Sequence, residues 1–306
     1  MSTQSSTSDN EVLSAELRDM AVAMAADAAH LVQRRRQELL AGETADSVAE
    51  ALGQQLKTSE CDPVTLVDKE NEIALRSAIT SMRPQDSILG EEGGGAVLTD
   101  PDAVTWVLDP IDGTVNFLYG IPAYSVSIAA AVGGIVVAGA VANIFADEIF
   151  SAHKNGGASV ISVEEAESNP ASARTAQRLS CNTPVNLATT LLGTGFSYDS
   201  AKRAKQGKLF SQVISQVRDI RRLGSAALDL CFVAAGRLDA YYEHGLHPWD
   251  RAAGGIIAKE AGAVTQIPEP EEPGNLGTIN YALAPSIAEQ FFDMMESAGG
   301  LAAMPK

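Results

Sequence analysis

Two aspartates, Asp109 and Asp112, share the short stretch Trp106–Phe117, which reads W-V-L-D-P-I-D-G-T-V-N-F. Pro110 fixes the backbone between them and Ile111 offers a carbonyl oxygen, so three hard oxygen ligands converge within one turn. Such donors suit Mg²⁺, which keeps several waters and completes its shell with substrate phosphate. The competing reading is an Asp-Pro turn followed by an Asp-Gly turn, both carboxylates capping backbone. Two further acidic motifs favour the metal. Ile88-Leu89-Gly90-Glu91-Glu92 reads as a short apolar strand ending in a glycine and two carboxylates, and H-P-W-D-R-A-A-G-G, from His247 to Gly255, sets Asp250 at the start of an apolar helix.

Composition narrows the classes. With 306 residues, 45% of them hydrophobic, the chain can bury a large core as one large domain or two tightly joined ones. A formal charge of −17 argues against nucleic-acid binding, which needs Lys and Arg at phosphates. A phosphate ester would have to be drawn in locally, by metal ions. Cys61, Cys181 and Cys231 form no C-x-x-C pair, which suits a reducing cytoplasm. His30, His153, His244 and His247 show no zinc spacing. The charge-free run Ile121–Ala146 is long enough to span a bilayer, but Gly133-Gly134 at its centre, between β-rich flanks, predicts a buried hairpin and no membrane span. The N-terminus lacks the basic and apolar regions of a signal peptide.

The elements that must position these residues follow from periodicity. Residues 1–10 read as disordered. Helices are expected over Glu11–Leu40, with Leu13, Leu17, Met20, Met24, Ala28 and Leu31 on one face, and over Asp68–Met82, with Ile73, Leu75 and Ile79 inward. Residues 88–150 switch to β-type runs, and Asn155–Gln177 reads as a hairpin and polar loop. Thr190–Gly193 and Leu238–Tyr242 read as strands. Leu209–Ile220, Ser225–Ala235 (capped by Ser225) and Ala252–Ala261 read as helices, and Glu269–Gly274 as a surface loop. Helices alternating with strand pairs predict layered α/β packing, with an N-terminal half over about 11–155 and a C-terminal half over about 156–306.

From Lys57 to Ala263 the motifs G-E-E, W-V-L-D-P-I-D-G-T-V-N-F and W-D-R-A-A-G-G resemble, in order and spacing, the inositol monophosphatase family of metal-dependent, lithium-sensitive phosphatases. The resemblance implies an αβαβα sandwich of the inositol monophosphatase/fructose-1,6-bisphosphatase type and a homodimer. It implies one Mg²⁺ at Glu91, Asp109 and the Ile111 carbonyl, a second at Asp109, Asp112 and Asp250, a weaker third beside Glu91, and inhibition by Li⁺. Thr114 with Glu91 would orient the attacking water, its plainer role being to close a turn. The backbone N–H groups of Gly113 and Thr114 would receive phosphate, and Asp112 would help return a proton to the leaving oxygen. Glu92 is expected outside the ligand set. Asp68 and Lys57 match a family loop that lies over the metals, although Asp68 could simply cap its helix. Glu243, Ser225 and Asp250 match positions that contact the sugar ring. Departures, Tyr119 and Gly93-Gly94-Gly95, bear on substrate. The expected reaction is hydrolysis of myo-inositol 1-phosphate. Histidinol phosphate, fructose 1,6-bisphosphate or a phosphonucleotide remain open as substrates, as does a regulatory, protein-binding role.

Overall fold

In the computed structural model, which describes residues 3–40, 55–56, 63–64 and 66–305, two sheets are separated by one helical layer and covered by two others. After helix α1 (Thr3–Leu40) come a two-residue antiparallel pair, β1 (Gln55–Leu56) and β2 (Pro63–Val64), and helix α2 (Leu66–Met82). The first sheet follows: β3 (Ser87–Gly90), β4 (Val104–Asp112), β5 (Ser125–Val132), β6 (Ile135–Asn143), β7 (Glu148–His153) and β8 (Gly157–Ile161), neighbours in chain order. Only the β3–β4 pair is parallel. A short helix α3 (Thr114–Tyr119) follows β4, and α4 (Val163–Ser168) follows β8.

The second sheet has the order β10 (Asp219–Arg221), β9 (Leu191–Thr194), β11 (Ala240–His244), β13 (Ile279–Leu283), β12 (Val264–Gln266). Between the sheets lie α6 (Ala226–Ala234) and α7 (Pro248–Glu260), and outside the second sheet lie α5 (Ser200–Val213) and α8 (Ala288–Ser297).

Both faces of both sheets are therefore buried, and the period of two assigns alternate side chains to different layers. Trp106 and Leu108 of β4 and Ile128 of β5 join α1 and α2 in the outer core, whereas Val107 and Ala129 face α6 and α7. Tyr241 and Ala282 face α6 and α7 from the other side, while Tyr242, Tyr281 and Leu283 turn outward onto α5 and α8. The chain is a layered αβαβα sandwich, and α6 and α7, from its C-terminal part, pack on the N-terminal sheet.

The charge-free run Ile121–Ala146 folds as expected: β5 and β6 meet at Val132 and Ile135 through Gly133 and Gly134, whose φ of 58° and 83° suit a two-residue hairpin turn. No helix among the described residues is long and apolar enough to cross a membrane. Other expectations shift. Helix α1 extends to Thr3, so residues 3–10, expected to be disordered, are its first turns, and by Leu13 and Ser14 its side chains turn inward. Ile73 is 67% exposed because the face of α2 that carries Leu75 and Ile79 is completed by Asp68, Asn71 and Glu72, all buried. The helix expected over 209–220 ends at Val213, and Asp219–Arg221 instead pairs with β9. Helix α7 starts at Pro248, whose missing N–H costs nothing in a first turn.

Candidate active site

Along a regular strand, side chains separated by an odd number of positions point to opposite faces, so Asp109 and Asp112 should diverge. They do not, because the pairing slips. Asp109 lies opposite Ser127 and Asp112 opposite Ser125, so Pro110 and Ile111 of β4 face the single residue Val126. This bulge returns both carboxylates to the face that Val107 presents to α6 and α7. Asn71 of α2 fixes the bulge, its Nδ2 donating to the Pro110 carbonyl at 2.8 Å.

Three helices begin at this face. Gly113 precedes α3, and a Cβ there would lie 3.0 Å from the Ala123 carbonyl and 3.2 Å from that of Gly224, so only glycine lets these backbones meet. The Thr114 hydroxyl lies 3.0 Å from the Ile111 carbonyl and 3.3 Å from Asp68 Oδ2, either of which can accept its proton. At the start of α6, Ser225 Oγ accepts the Leu228 N–H and donates to Asp112 Oδ2 at 2.6 Å; the Ala227 N–H donates to the same oxygen at 2.8 Å. At the start of α7, Asp250 Oδ2 accepts the His247 N–H at 2.7 Å. With the positive ends of three helices around one pocket, anions are stabilised there.

Glu91, Asp109, Ile111, Asp112, Gly113, Thr114, Ser225, Glu243 and Asp250 all line this pocket of about 650 Å³, open to solvent. Asp68 reaches its edge through Thr114. Lys57 lies outside the described residues. The Ser225 hydroxyl is engaged with Asp112 and the helix cap, so its placement suits holding Asp112. Further lining residues come from segments with no motif: Gly195, Phe196 and Tyr198 after β9, Arg222 before α6, and Asp229 within α6. The one legible signal was Asp229, a lone carboxylate in the apolar run A-A-L-D-L-C-F-V-A.

The carboxylates crowd one another. Burial, followed by repulsion from Glu91, Asp112, Asp250 and Asp68, holds Asp109 well above the ordinary carboxylate range. Burial also raises Asp250, with Asp112 and Glu91 adding to it. Asp112 is pushed up to about 7 by burial, despite the Ser225 and Ala227 hydrogen bonds that favour its charged form. Glu243 is raised by burial and eased by the Tyr241 hydroxyl, which donates to its Oε2 at 2.7 Å, and by Arg222 and Lys202.

These residues fit a hard divalent cation. Asp109 is 1% exposed and its Oδ1 has no hydrogen-bond partner, a costly state that a cation would relieve. Among the described residues no three His, Cys, Asp or Glu side chains form a ready-made metal cage. An ion held there would need backbone carbonyl, water or substrate oxygens as well, which is how Mg²⁺ is usually bound.

The model of the inositol monophosphatase family matches residues 13–295. An inositol-1-monophosphatase of Mycobacterium bovis is 48% identical over 300 residues, covering 97% of this chain and 98% of its own. The solved structure of Mycobacterium tuberculosis SuhB superposes with a TM-score of 0.75 at 44% identity, over 94% of this chain and 98% of that one. A Nus factor SuhB of Pasteurella multocida is 39% identical over 204 residues, 66% of this chain and 71% of its own. A match over nearly the whole length, together with a layered fold whose bulge gathers the acidic motifs into one pocket, shows that the chain belongs to the inositol monophosphatase family.

Proposed function

We propose that this chain is an Mg²⁺-dependent phosphoric monoester hydrolase that converts myo-inositol 1-phosphate to myo-inositol and phosphate. The observation that carries the reading is the convergence of Glu91, Asp109, Asp112 and Asp250 on one pocket, with a buried Asp109 oxygen lacking any partner. Glu91, Asp109 and the Ile111 carbonyl would hold one ion, Asp109, Asp112 and Asp250 a second, and the edge beside Glu91 a weaker third; Li⁺ would inhibit at the second position. When bound, Mg²⁺ supplies charge neutralisation for the phosphate oxygens and a lowered pKa for water.

The chain's own residues supply orientation. The Thr114 hydroxyl, held between the Ile111 carbonyl and Asp68, is set to align the attacking water with Glu91. The N–H groups of Gly113 and Thr114 would receive phosphate oxygens. Asp112, fixed by Ser225 and Ala227, would help return a proton to the leaving oxygen through water. Glu243, steadied by Tyr241, presents an acceptor to a polyol hydroxyl, and Asp250 and Ser225 border the same space.

Phosphate release with Mg²⁺ from myo-inositol 1-phosphate, histidinol phosphate, fructose 1,6-bisphosphate and a phosphonucleotide tests this directly. The inositol ester should be turned over fastest, and a faster alternative would reassign the substrate. The likeness to a relative called a Nus factor supports a second reading, a protein-binding regulatory role, but over a smaller part of the chain and at lower identity. Capture of a stable protein partner with no release from any ester would favour it.

Glu243→Gln should weaken inositol phosphate turnover yet leave an aryl phosphate hydrolysed almost as well as by the parent. A site built to pair with a hydroxyl rejects esters that lack it, and the amide blunts that preference. Equal losses on both substrates would place Glu243 in the catalytic or structural machinery.

A further inference from the structure

Glu72 of α2 is 2% exposed, and both its carboxylate oxygens are spent on the loop that follows β3. Oε2 accepts the Glu92 N–H at 2.7 Å and Oε1 accepts the Gly93 N–H at 2.8 Å. Arg76, one turn along, donates to Glu72 Oε1 and to the Gly94 carbonyl, each at 2.6 Å. The Glu91 N–H donates to the Leu108 carbonyl at 3.2 Å and the Gly90 N–H to the Gly94 carbonyl at 3.0 Å. Every backbone donor from Gly90 to Gly93 is thus engaged.

A glycine-rich loop is loose by nature, and a buried carboxylate is costly unless paired. Here the second feature offsets the first: Arg76 and two N–H groups pair the carboxylate, and the carboxylate grips the loop directly beyond Glu91. The same face of α2 reaches the other half of the site. Asn71 holds the Pro110 carbonyl within the bulge, and Asp68 accepts from Thr114. One rigid helix therefore fixes the loop carrying Glu91 relative to the strand carrying Asp109.

We infer that Glu72 is a positioning residue, which clamps the Gly90–Gly94 loop to α2 so that the Glu91 carboxylate stands toward Asp109 as a shared divalent cation requires. This rests on the reading of Glu91 as a metal-holding residue. Residues that orient metal ligands affect affinity or activity by about 10–100-fold.

The test compares Glu72→Gln, Gly93→Ala and Glu91→Gln in the full chain, with Mn²⁺ binding to the metal-stripped protein by calorimetry, melting temperature, and kcat against Mg²⁺ concentration. Glu72→Gln keeps length and shape but offers one oxygen where two N–H groups and Arg76 need acceptors. Gly93→Ala leaves Glu72 intact and lifts the loop off it, because the new Cβ would lie 2.7 Å from Glu72 Oε1 and 2.8 Å from Arg76 Nη2 at an exposed position. Both should weaken Mn²⁺ binding about tenfold or more, with kcat recovering toward the parent at high Mg²⁺, whereas Glu91→Gln should not recover. If both bind Mn²⁺ as the parent does while Glu91→Gln binds weakly, the inference is wrong and Glu72 only stabilises the loop. If Glu91→Gln itself binds and turns over like the parent, the reading beneath the inference fails and takes it down too.

Discussion

Asp109→Asn is expected to lower turnover by about 10³-fold or more, because the charge it removes would be shared by two cations and would hold several kcal/mol of transition-state stabilisation. The substitution keeps shape in a position that is 1% exposed, so packing is preserved. A second readout has the opposite sign. In metal-stripped protein the melting temperature should rise, since Asp109 is a buried carboxylate repelled by Glu91, Asp112, Asp250 and Asp68, and the amide has no charge to repel. Lost activity with gained stability is the signature of a residue kept for its charge. A variant within tenfold of the parent would mean that Asp109 merely shapes the turn.

Removing Mg²⁺ with excess chelator should abolish activity, and Mg²⁺ should restore it, because every anchoring group is a hard oxygen donor. Full turnover in chelator would overturn the assignment. The same treatment sets a pH dependence whose sign is fixed. Asp109, Asp112 and Asp250 keep protons in the folded chain to higher pH than in the unfolded one. Between the ordinary value of 3.8 and the value of about 7 reached by Asp112, the folded state binds more protons, so metal-free stability should fall as pH rises across that window. Cations bind the ionised carboxylates of the folded state, so added Mg²⁺ should raise the melting temperature most at the upper end of the window. Thermal melts with and without chelator from pH 4.5 to 8 would check this, and a metal-free stability that climbed with pH would contradict it.

The Gly133-Gly134 hairpin and the Ser225 cap were legible in sequence because each depends on backbone preferences of a few adjacent residues. Pattern reading also found the inward faces of α1 and most of α2. It misplaced Ile73, because helical spacing locates a stripe only to within a residue or two, and the polar Asp68, Asn71 and Glu72 fill a face that apolar periodicity cannot mark. It placed a helix over 209–220 where the chain breaks after Val213, because Asp219–Arg221 is recruited as an edge strand by β9, a partner some thirty residues away.

By itself the sequence determined which groups this protein has for chemistry: the acidic motifs, their order, and the glycine and threonine beside them. Only the tertiary structure decided that they meet. The slip between β4 and β5 turns Asp109 and Asp112 to one face, α7 brings Asp250 to them across the inner layer, and Asp229, Arg222 and Tyr198 join the wall from segments without motifs. The reason is that a carboxylate's type is local, whereas its direction, burial and charged neighbours are set by strand pairing and helix packing between residues far apart in the chain.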